Sequence, residues 1–392
     1  MFLADSPREL HERLSYSYPW VTGMMAYDSD ELSEFATAVL VGLGAPETVA
    51  QQVSDSLVAA DLRGHTSHGV LRIPTYRDMI DDGALVPDAS PTVLREEGPT
   101  AVIDGRLAFG QVVGRDAVAL LLNLVRDHGV ACVGIRNGTH LGRMGEWAEC
   151  VAEEGYLFTS AVNSSGGGLV TALAGTADRT FSTNPITFGI PSFDRLPFQI
   201  VLDMATSQVA HGKVQQYEAA ARELPAEWAL SPDGDTITDP AELSEFQEAA
   251  DWGSLRPLGG TTAGYKGTGL AVTVELLAGF LGGGPVVGQR DPTSWFSNGA
   301  SFFAIDPTRF ADRDALEAKV DAVVTQFRAA ESLPNVPVGD AAKGDDPLLP
   351  GEAEYTTLQD RRESGVPLPD QFVGSLTDLA DELELPESNP LA

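Results

Sequence analysis

The sequence predicts an α/β fold of layered type, and three observations carry that reading. From residue 130 onward, apolar runs of strand length alternate with amphipathic helical segments, the rhythm of a sheet covered by helices. Upstream of that point, apolar residues recur at helical spacing over residues 28–83. A chain of 392 residues is also long for one core, so two or three domains are expected.

The elements follow in order. Residues 1–27 are poorly patterned and are set aside as a doubtful leader, with Met25 a plausible start. Asp28 and Glu31 stand at capping-box spacing ahead of Leu32, Phe35, Ala36 and Val39, and Gly42 and Gly44 close that helix. Val49, Val53, Leu57 and Ala60 mark the buried face of a second helix stopped by Gly64. Pro74 suits the first turn of a third, which ends near Gly83. Val93-Leu94 and Ala101–Asp104 read as short strands around a turn at Gly98-Pro99, and Gln111–His128 as a long amphipathic helix closed by Gly129. A buried strand at Val130–Ile135, a helix over 143–154, and strands at Leu157–Val162 and Ile200–Asp203 come next. Residues 222–257 are loop-like. Lys266–Gly279 and Arg313–Arg328 read as helices, Ser301–Ile305 as a strand. After Val338 the chain turns acidic and proline-rich, yet Phe372, Leu376, Leu379 and Leu383 keep a packing period. In layered sheets ligands bind beyond the carboxyl ends of strands, which places Asn137–Gly145, Asn163–Gly168 and Asp203–Ser207 on one rim.

Charge narrows the function. Acidic residues number 57 against 25 basic, for a net charge of −32. Only four lysines occur, at Lys213, Lys266, Lys319 and Lys343. Such a surface repels itself at low ionic strength, and molar salt, with a Debye length of about 3 Å, removes most of that repulsion. A salt-rich cytoplasm fits. Disorder does not, because the apolar periodicity is sustained. No basic stripe exists to neutralise phosphates, so nucleic acid is not an expected partner. No apolar run reaches the length of a membrane span, and no secretion signal precedes the first helix. Two isolated cysteines, Cys132 and Cys150, offer neither a disulfide framework nor a metal-binding pair.

Chemistry concentrates in Asp61–Tyr76, where His65, Ser67, His68, Arg63 and Arg72 crowd onto a turn between two helices. Taken singly, each has a bland explanation, His65 as a helix cap and the arginines as solvated cations. Taken together, Ser67-His68-Gly69 followed by Arg72 points to function. His140 lies in a glycine-rich loop after a buried strand, where a lone histidine is more often structural. His128 before Gly129 is explained as a cation at a helix C-terminus, and His11 lies in the leader. Three readings remain at this level. One is an oxidoreductase whose histidine protonates a carbonyl oxygen while Arg72 holds a carboxylate. Another is a metal hydrolase with His65, His68, His140 and Asp203 as ligands, although His65-x-x-His68 lacks the spacing of the familiar zinc helix. The third is a non-catalytic binding protein. No G-x-G-x-x-G fingerprint occurs. Ser164–Gly168 after a strand, and Lys266-Gly-Thr-Gly269 read as opening a helix, could cradle phosphate instead.

These residues resemble a known family. Asp61-Leu-Arg-Gly-His-Thr-Ser-His-Gly with Arg72 and Tyr76, Thr139-His140-Leu-Gly, Thr183-Asn184-Pro185, Leu202–Ser207, Gly212-Lys213-Val214, Lys266-Gly and Pro350-Gly351-Glu352 follow the order of the malate/L-lactate dehydrogenases. That family also includes ureidoglycolate, sulfolactate and cyclic-imine-2-carboxylate reductases, and the resemblance spans about residues 28–366. The acidic composition is similar to that of haloarchaeal proteins. The resemblance implies a non-Rossmann, mixed-sheet cofactor domain over 106–309, and a second α/β domain of 28–105 plus 310–392 for substrate and dimerisation. It implies a cytoplasmic homodimer that uses NAD or NADP on a small 2-hydroxy or 2-oxo acid, with a cyclic imine-2-carboxylate as the alternative substrate. Carried over by motif, His140 is the acid/base, while Ser67 and His68 contact substrate and Arg72 and Tyr76 grip its carboxylate. Ser164, Thr183, Asn184, Asp203, Met204, Ala205 and Lys266 line the cofactor site, and Asp203 could instead orient a histidine. Many members read His-Phe-Gly-Ala-Ala-Gly where this chain has His140-Leu-Gly-Arg143-Met-Gly, so Arg143 is a candidate for a second substrate carboxylate or a cofactor phosphate.

Overall fold

The computed structural model describes residues 24–219, 221–243, 252–291, 294–333 and 347–385. Most of the leader, residues 244–251 of the excursion, Val338 and Lys343 lie outside them. Strand β1 (Met24–Tyr27) falls within the segment set aside as leader. Helix α1 (Ser29–Gly42) starts as expected, with Asp28 Oδ1 accepting the Asp30 and Glu31 N–H groups at 2.9 and 3.2 Å. Helix α2 (Glu47–Leu62) buries Val53, Leu57 and Ala60 and is stopped by Gly64 in the left-handed region. Two single turns of 3₁₀ helix, Thr66–His68 and Val70–Arg72, lead into α3 (Ile73–Asp81) with Pro74 in its first turn. Strands β2 (Thr92–Glu97) and β3 (Thr100–Asp104), helix α4 (Gly110–His128), β4 (Val130–Gly138), α5 (Met144–Glu153) and β5 (Leu157–Ser165) follow where the periodicity puts them.

Beyond β5 the chain is less regular. Strands β6 (Thr171–Ala172), β7 (Arg179–Phe181) and β8 (Ile186–Ile190) precede β9 (Ile200–Met204) and α6 (His211–Ala219). The loop-like excursion contributes β10 (Ala229–Leu230), β11 (Thr236–Ile237) and β12 (Ser254–Leu255). Helix α7 (Gly260–Gly282) begins well before Lys266, so the reading of Lys266 at a helix start is corrected. The glycine there serves packing instead, since a Cβ at Gly267 would lie 2.3 Å from the Leu258 nitrogen. Strand β13 (Ser297–Ile305), helices α8 (Arg313–Arg328) and α9 (Glu352–Ser364), strand β14 (Val366–Pro369) and α10 (Asp370–Glu382) complete the order.

The main sheet runs β2-β3-β4-β13-β5-β8-β9. It is mixed, with β3–β4 its one parallel pair. Because β13 is antiparallel to both β4 and β5, and β8 to both β5 and β9, the strands β4, β5 and β9 point the same way. Their carboxyl ends therefore share an edge. Val133 and Ile135 pack with α4 residues, while Gly134 admits α7: a Cβ there would lie 1.9 Å from the Leu281 carbonyl. A second sheet, β11-β10-β12-β6-β7, has its own small core around Val170, Val214, Trp228 and Leu255. The pair β1–β14 ties one end of the described chain to the other, and Tyr27, Leu32, Leu57, Met79, Val366, Leu368 and Leu376 form one apolar cluster.

Candidate active site

The histidine turn is built around a buried carboxyl group. Asp61, in the last turn of α2, accepts the Val70 N–H on Oδ2 at 2.9 Å. Gly69 sits directly against it, and a Cβ there would lie 2.0 Å from Asp61 Oδ1, so only glycine fits. Burial pushes the Asp61 carboxyl up to about 7 despite that N–H and the nearby Arg361. From this support the turn presents Ser67, His68 and Arg72. Arg72 donates Nε to the Ser67 carbonyl at 2.6 Å, and among the described residues no carboxylate pairs with its guanidinium. Gly212 of α6 closes over Ser67, where a Cβ would lie 2.4 Å from the serine Cβ.

His140 approaches from the β4–α5 loop. Its position is held by Thr139 Oγ1 donating to the Ala108 carbonyl at 2.8 Å and Trp147 Nε1 donating to the Leu141 carbonyl at 3.1 Å. Gly110 lies against its backbone, a Cβ there falling 2.0 Å from the His140 carbonyl oxygen. The two motif histidines meet: His68 Nδ1 and His140 Nε2 are 2.9 Å apart, with the rings stacked at 5.1 Å. The other nitrogen, His140 Nδ1, lies 2.8 Å from Tyr76 Oη, which in turn accepts from Gln111 Nε2 at 2.7 Å. With the Gln111 amide so oriented, Tyr76 donates to Nδ1. His140 then carries its proton on Nε2 and donates to His68, an assignment that follows from the network. Three of the four ring nitrogens are thereby engaged, and His68 Nε2 is left. Burial first, then the Arg72 charge, holds both imidazoles well below the ordinary histidine range, so both are neutral at pH 7. Burial lifts the Tyr76 phenol to about 12. The Tyr76 hydroxyl is thus bonded to His140 and Gln111, behind the histidine.

The remaining expected residues divide. Asp203 accepts the Gly145 N–H at 2.7 Å and the Thr187 hydroxyl at 3.2 Å, and bonds to neither His68 nor His140. It ties the His140 loop to β9, and the hydroxyl bonded to the His140 ring is that of Tyr76. Arg143 is 2% exposed and bonds Glu149 at 2.6 Å, a carboxylate shared with Arg63 at 3.0 Å. Since Glu149 lies on the same helix α5, the arginine folds back onto its own element as a buried ion pair, with its Nε left without a partner among the described residues. Asn184 is 1% exposed, its Nδ2 donating to Glu275 at 2.8 Å while its buried Oδ1 has no partner among the described residues. His65 pairs with Glu354 at 3.3 Å. His65 and Asp203 thus bond other partners, His68 and His140 bond each other, and among the described residues no group of three His, Cys, Asp or Glu side chains is arranged to hold an ion. Ser164 is nearly buried at the end of β5, Met204 and Ala205 are half-buried at the end of β9, Thr183 is half-buried before β8, and Lys266 is exposed on α7.

A family model described as malate/L-lactate dehydrogenase matches residues 27–377. The chain belongs to that family. Its relatives include the malate dehydrogenase of Pyrococcus abyssi, 34% identical over 356 residues that cover 90% of this chain and 93% of the relative. The malate dehydrogenase structure from Entamoeba histolytica superposes with a TM-score of 0.83 at 29% identity, covering 93% of this chain and 99% of that one. The Δ1-piperideine-2-carboxylate reductase of Pseudomonas syringae gives 0.76 at 27% identity, covering 91% and 100%.

A nicotinamide cofactor suits the family, and the shared strand edge suits the cofactor. Gly166 and Gly168 hold positive φ after β5, and a Cβ at Gly168 would meet nothing within 4 Å, while the Gly167 N–H between them donates to the Ser294 carbonyl at 2.7 Å. The Ser164 hydroxyl makes no side-chain hydrogen bond among the described residues. Two residues that shape the site carry no motif and escape sequence reading. Gln111 is 1% exposed at the start of an apolar helix and Glu275 is 2% exposed in the middle of another; a lone polar residue in an apolar run is the signal each offered.

Proposed function

We propose that this dehydrogenase exchanges a hydride between NAD or NADP and a small 2-hydroxy or 2-oxo acid. One observation carries the reading: the chain Gln111–Tyr76–His140–His68 ends beside an arginine that no carboxylate among the described residues neutralises. Arg72 binds the substrate carboxylate through its guanidinium fork. Ser67 contacts the substrate beside it. The nicotinamide, when bound, supplies or accepts the hydride at C2. The His68–His140 pair moves the proton at the C2 oxygen, with Tyr76 fixing the tautomer behind it. A carboxylate on Arg72 cancels the positive charge that depresses both imidazoles, so substrate binding itself raises their proton affinity. Ser164, Thr183, Met204, Ala205 and Lys266 face the cofactor, while Asp203 and Asn184 support them.

A cyclic imine-2-carboxylate is the second reading, supported by the Pseudomonas reductase, because it offers the same carboxylate beside an sp² carbon. We read residues 106–309 as the cofactor part, with 28–105 and 310–392 as the substrate and dimerisation part. A homodimer is supported by apolar surface: α7 turns out Tyr265, Val272, Leu276 and Phe280, and β8–β9 leave Phe188, Ile190 and Leu202 uncovered. No helix among the described residues is long and apolar enough to cross a membrane. A salt-rich cytoplasm remains the setting that the net charge of −32 favours.

The test is nicotinamide absorbance in high-potassium buffer, with NADH and NADPH each offered 2-oxo acids and cyclic imines, with and without chelator. Chelator-insensitive oxidation is expected. His140→Ala and His68→Ala should each lower kcat by about a hundredfold or more and keep cofactor binding. Full turnover by both variants would remove the imidazole pair from the mechanism.

A further inference from the structure

Glu275 is a buried carboxylate in the apolar middle of α7, flanked by Val274 and Ala278 in the same interior. Its Oε1 accepts from Asn163 Nδ2 at 2.9 Å and from the Val287 N–H at 2.8 Å, and its Oε2 accepts from Asn184 Nδ2 at 2.8 Å. None of the three donors lies on α7. One side chain therefore joins the end of β5, the turn before β8 and the loop after α7. Burying a carboxylate is costly, and a leucine would fill a helix interior more cheaply, so the geometry it imposes needs a use.

The segments it joins lead directly to the cofactor edge. Asn163 immediately precedes Ser164, and its Oδ1 accepts the Gly299 N–H at 3.1 Å. Asn184 holds φ at +36°, an uncommon conformation for a residue with a side chain, and its carbonyl accepts the Thr206 hydroxyl at 3.0 Å. Thr206 follows Met204-Ala205, and its N–H also binds the Thr183 carbonyl at 2.9 Å. Ser164, Thr183 and Met204-Ala205 are thus spaced from one another through a single acceptor.

We propose that Glu275 is a positioning residue that sets the spacing of the nicotinamide-binding edge and so the affinity for the cofactor. This rests on the reading that Ser164, Thr183, Met204 and Ala205 line that site. All three partners are N–H donors, so only an acceptor-only side chain satisfies them. Glutamine keeps the volume but turns an N–H toward Asn184, whose amide can accept it only by rotating Oδ1 inward and giving up its Nδ2 bond to the Ala271 carbonyl.

The experiment measures NADH and NADPH binding by fluorescence on the full chain in molar KCl, together with steady-state kinetics. Glu275→Gln is expected to raise the cofactor Kd about tenfold, equivalent to about 1.4 kcal/mol. At saturating cofactor, kcat and the KM for the oxo acid should stay within about twofold of wild type. Asn184→Gly, which keeps the positive φ and removes the amide, should weaken binding comparably, and the double variant should be no worse than the weaker single. A Glu275→Gln enzyme that melts lower but keeps the wild-type Kd has only a structural glutamate, and the proposal falls. If that variant does not fold, an unchanged Kd in Asn184→Gly overturns it equally. Wild-type protein that binds neither nucleotide would refute the nicotinamide reading itself, whereas wild type and variants binding alike would refute the role of Glu275 alone.

Discussion

Replacing Asp61 by asparagine should change how stability depends on pH. Asp61 is fully buried, its Oδ1 has no hydrogen-bond partner among the described residues, and its carboxyl is pushed from 3.8 up to about 7, chiefly by burial. The folded protein therefore holds this proton more tightly than the unfolded chain does. Below about pH 4 both states are protonated and the full contribution is present. Between about pH 4 and pH 7 the unfolded chain ionises first, and stability is lost at about 1.4 kcal/mol per pH unit. A shift of roughly three units thus removes up to ~4 kcal/mol by neutral pH. Asparagine keeps the shape and an oxygen for the Val70 N–H but does not titrate. Denaturant unfolding of both proteins in molar KCl, at several pH values, isolates the difference because every other group titrates alike in the two. The variant should gain on wild type by several kcal/mol from about pH 4 to about pH 7 and then run parallel to it. Curves parallel across the whole range would mean that Asp61 ionises normally in the folded protein, and the account of the turn as built on a reluctant carboxylate would be wrong.

Tyr76→Phe should leave Gln111 Nε2 and His140 Nδ1 unpaired, lowering kcat about tenfold or more while the KM for the oxo acid holds. A raised KM with unchanged kcat would return Tyr76 to the substrate carboxylate. Arg143→Ala should cost about 3 kcal/mol of stability by breaking the buried pair with Glu149, and should leave the ratio of malate to lactate kcat/KM unchanged. A shifted ratio would make Arg143 a substrate contact after all.

The histidine turn was legible because its punctuation is local. Gly64, Gly69 and Pro74 bracket a polar cluster too dense for a plain connection, and Gly64 and Pro74 do what their backbone preferences dictate. Long amphipathic segments were equally legible, and α8 runs Arg313–Arg328 as its period indicates. Strands of two or three residues such as β6 and β10 have no period to read, so the second sheet stayed hidden in what looked like loop. Lys266 misled because glycines that let α7 pack against Leu258 resemble glycines that cradle phosphate. Arg143 shows another limit: it lies close to His140 in sequence, but its ion-pair partner, Glu149, is set by the helix face the two share.

Three carboxylates show why the site's geometry is not written beside its motifs. Asp61 takes the Val70 N–H and holds the turn with Ser67, His68 and Arg72; Asp203 takes the Gly145 N–H and holds the loop with His140; Glu275 takes Asn163, Asn184 and Val287 and holds the edge with Ser164. Each accepts hydrogen bonds and is recruited from a helix or strand to fix an irregular segment. Loops cannot satisfy their own N–H groups as helices do, so a buried acceptor on a regular element both meets that need and transmits the element's rigidity. In a chain with 57 acidic residues such acceptors are hard to single out by composition. What distinguishes them is a hydrogen-bonded, inward position with no ion-pair cation among the described residues: a solvated surface carboxylate can be exchanged for another, whereas removing one of these three leaves a loop donor unpaired and the segment it holds unplaced.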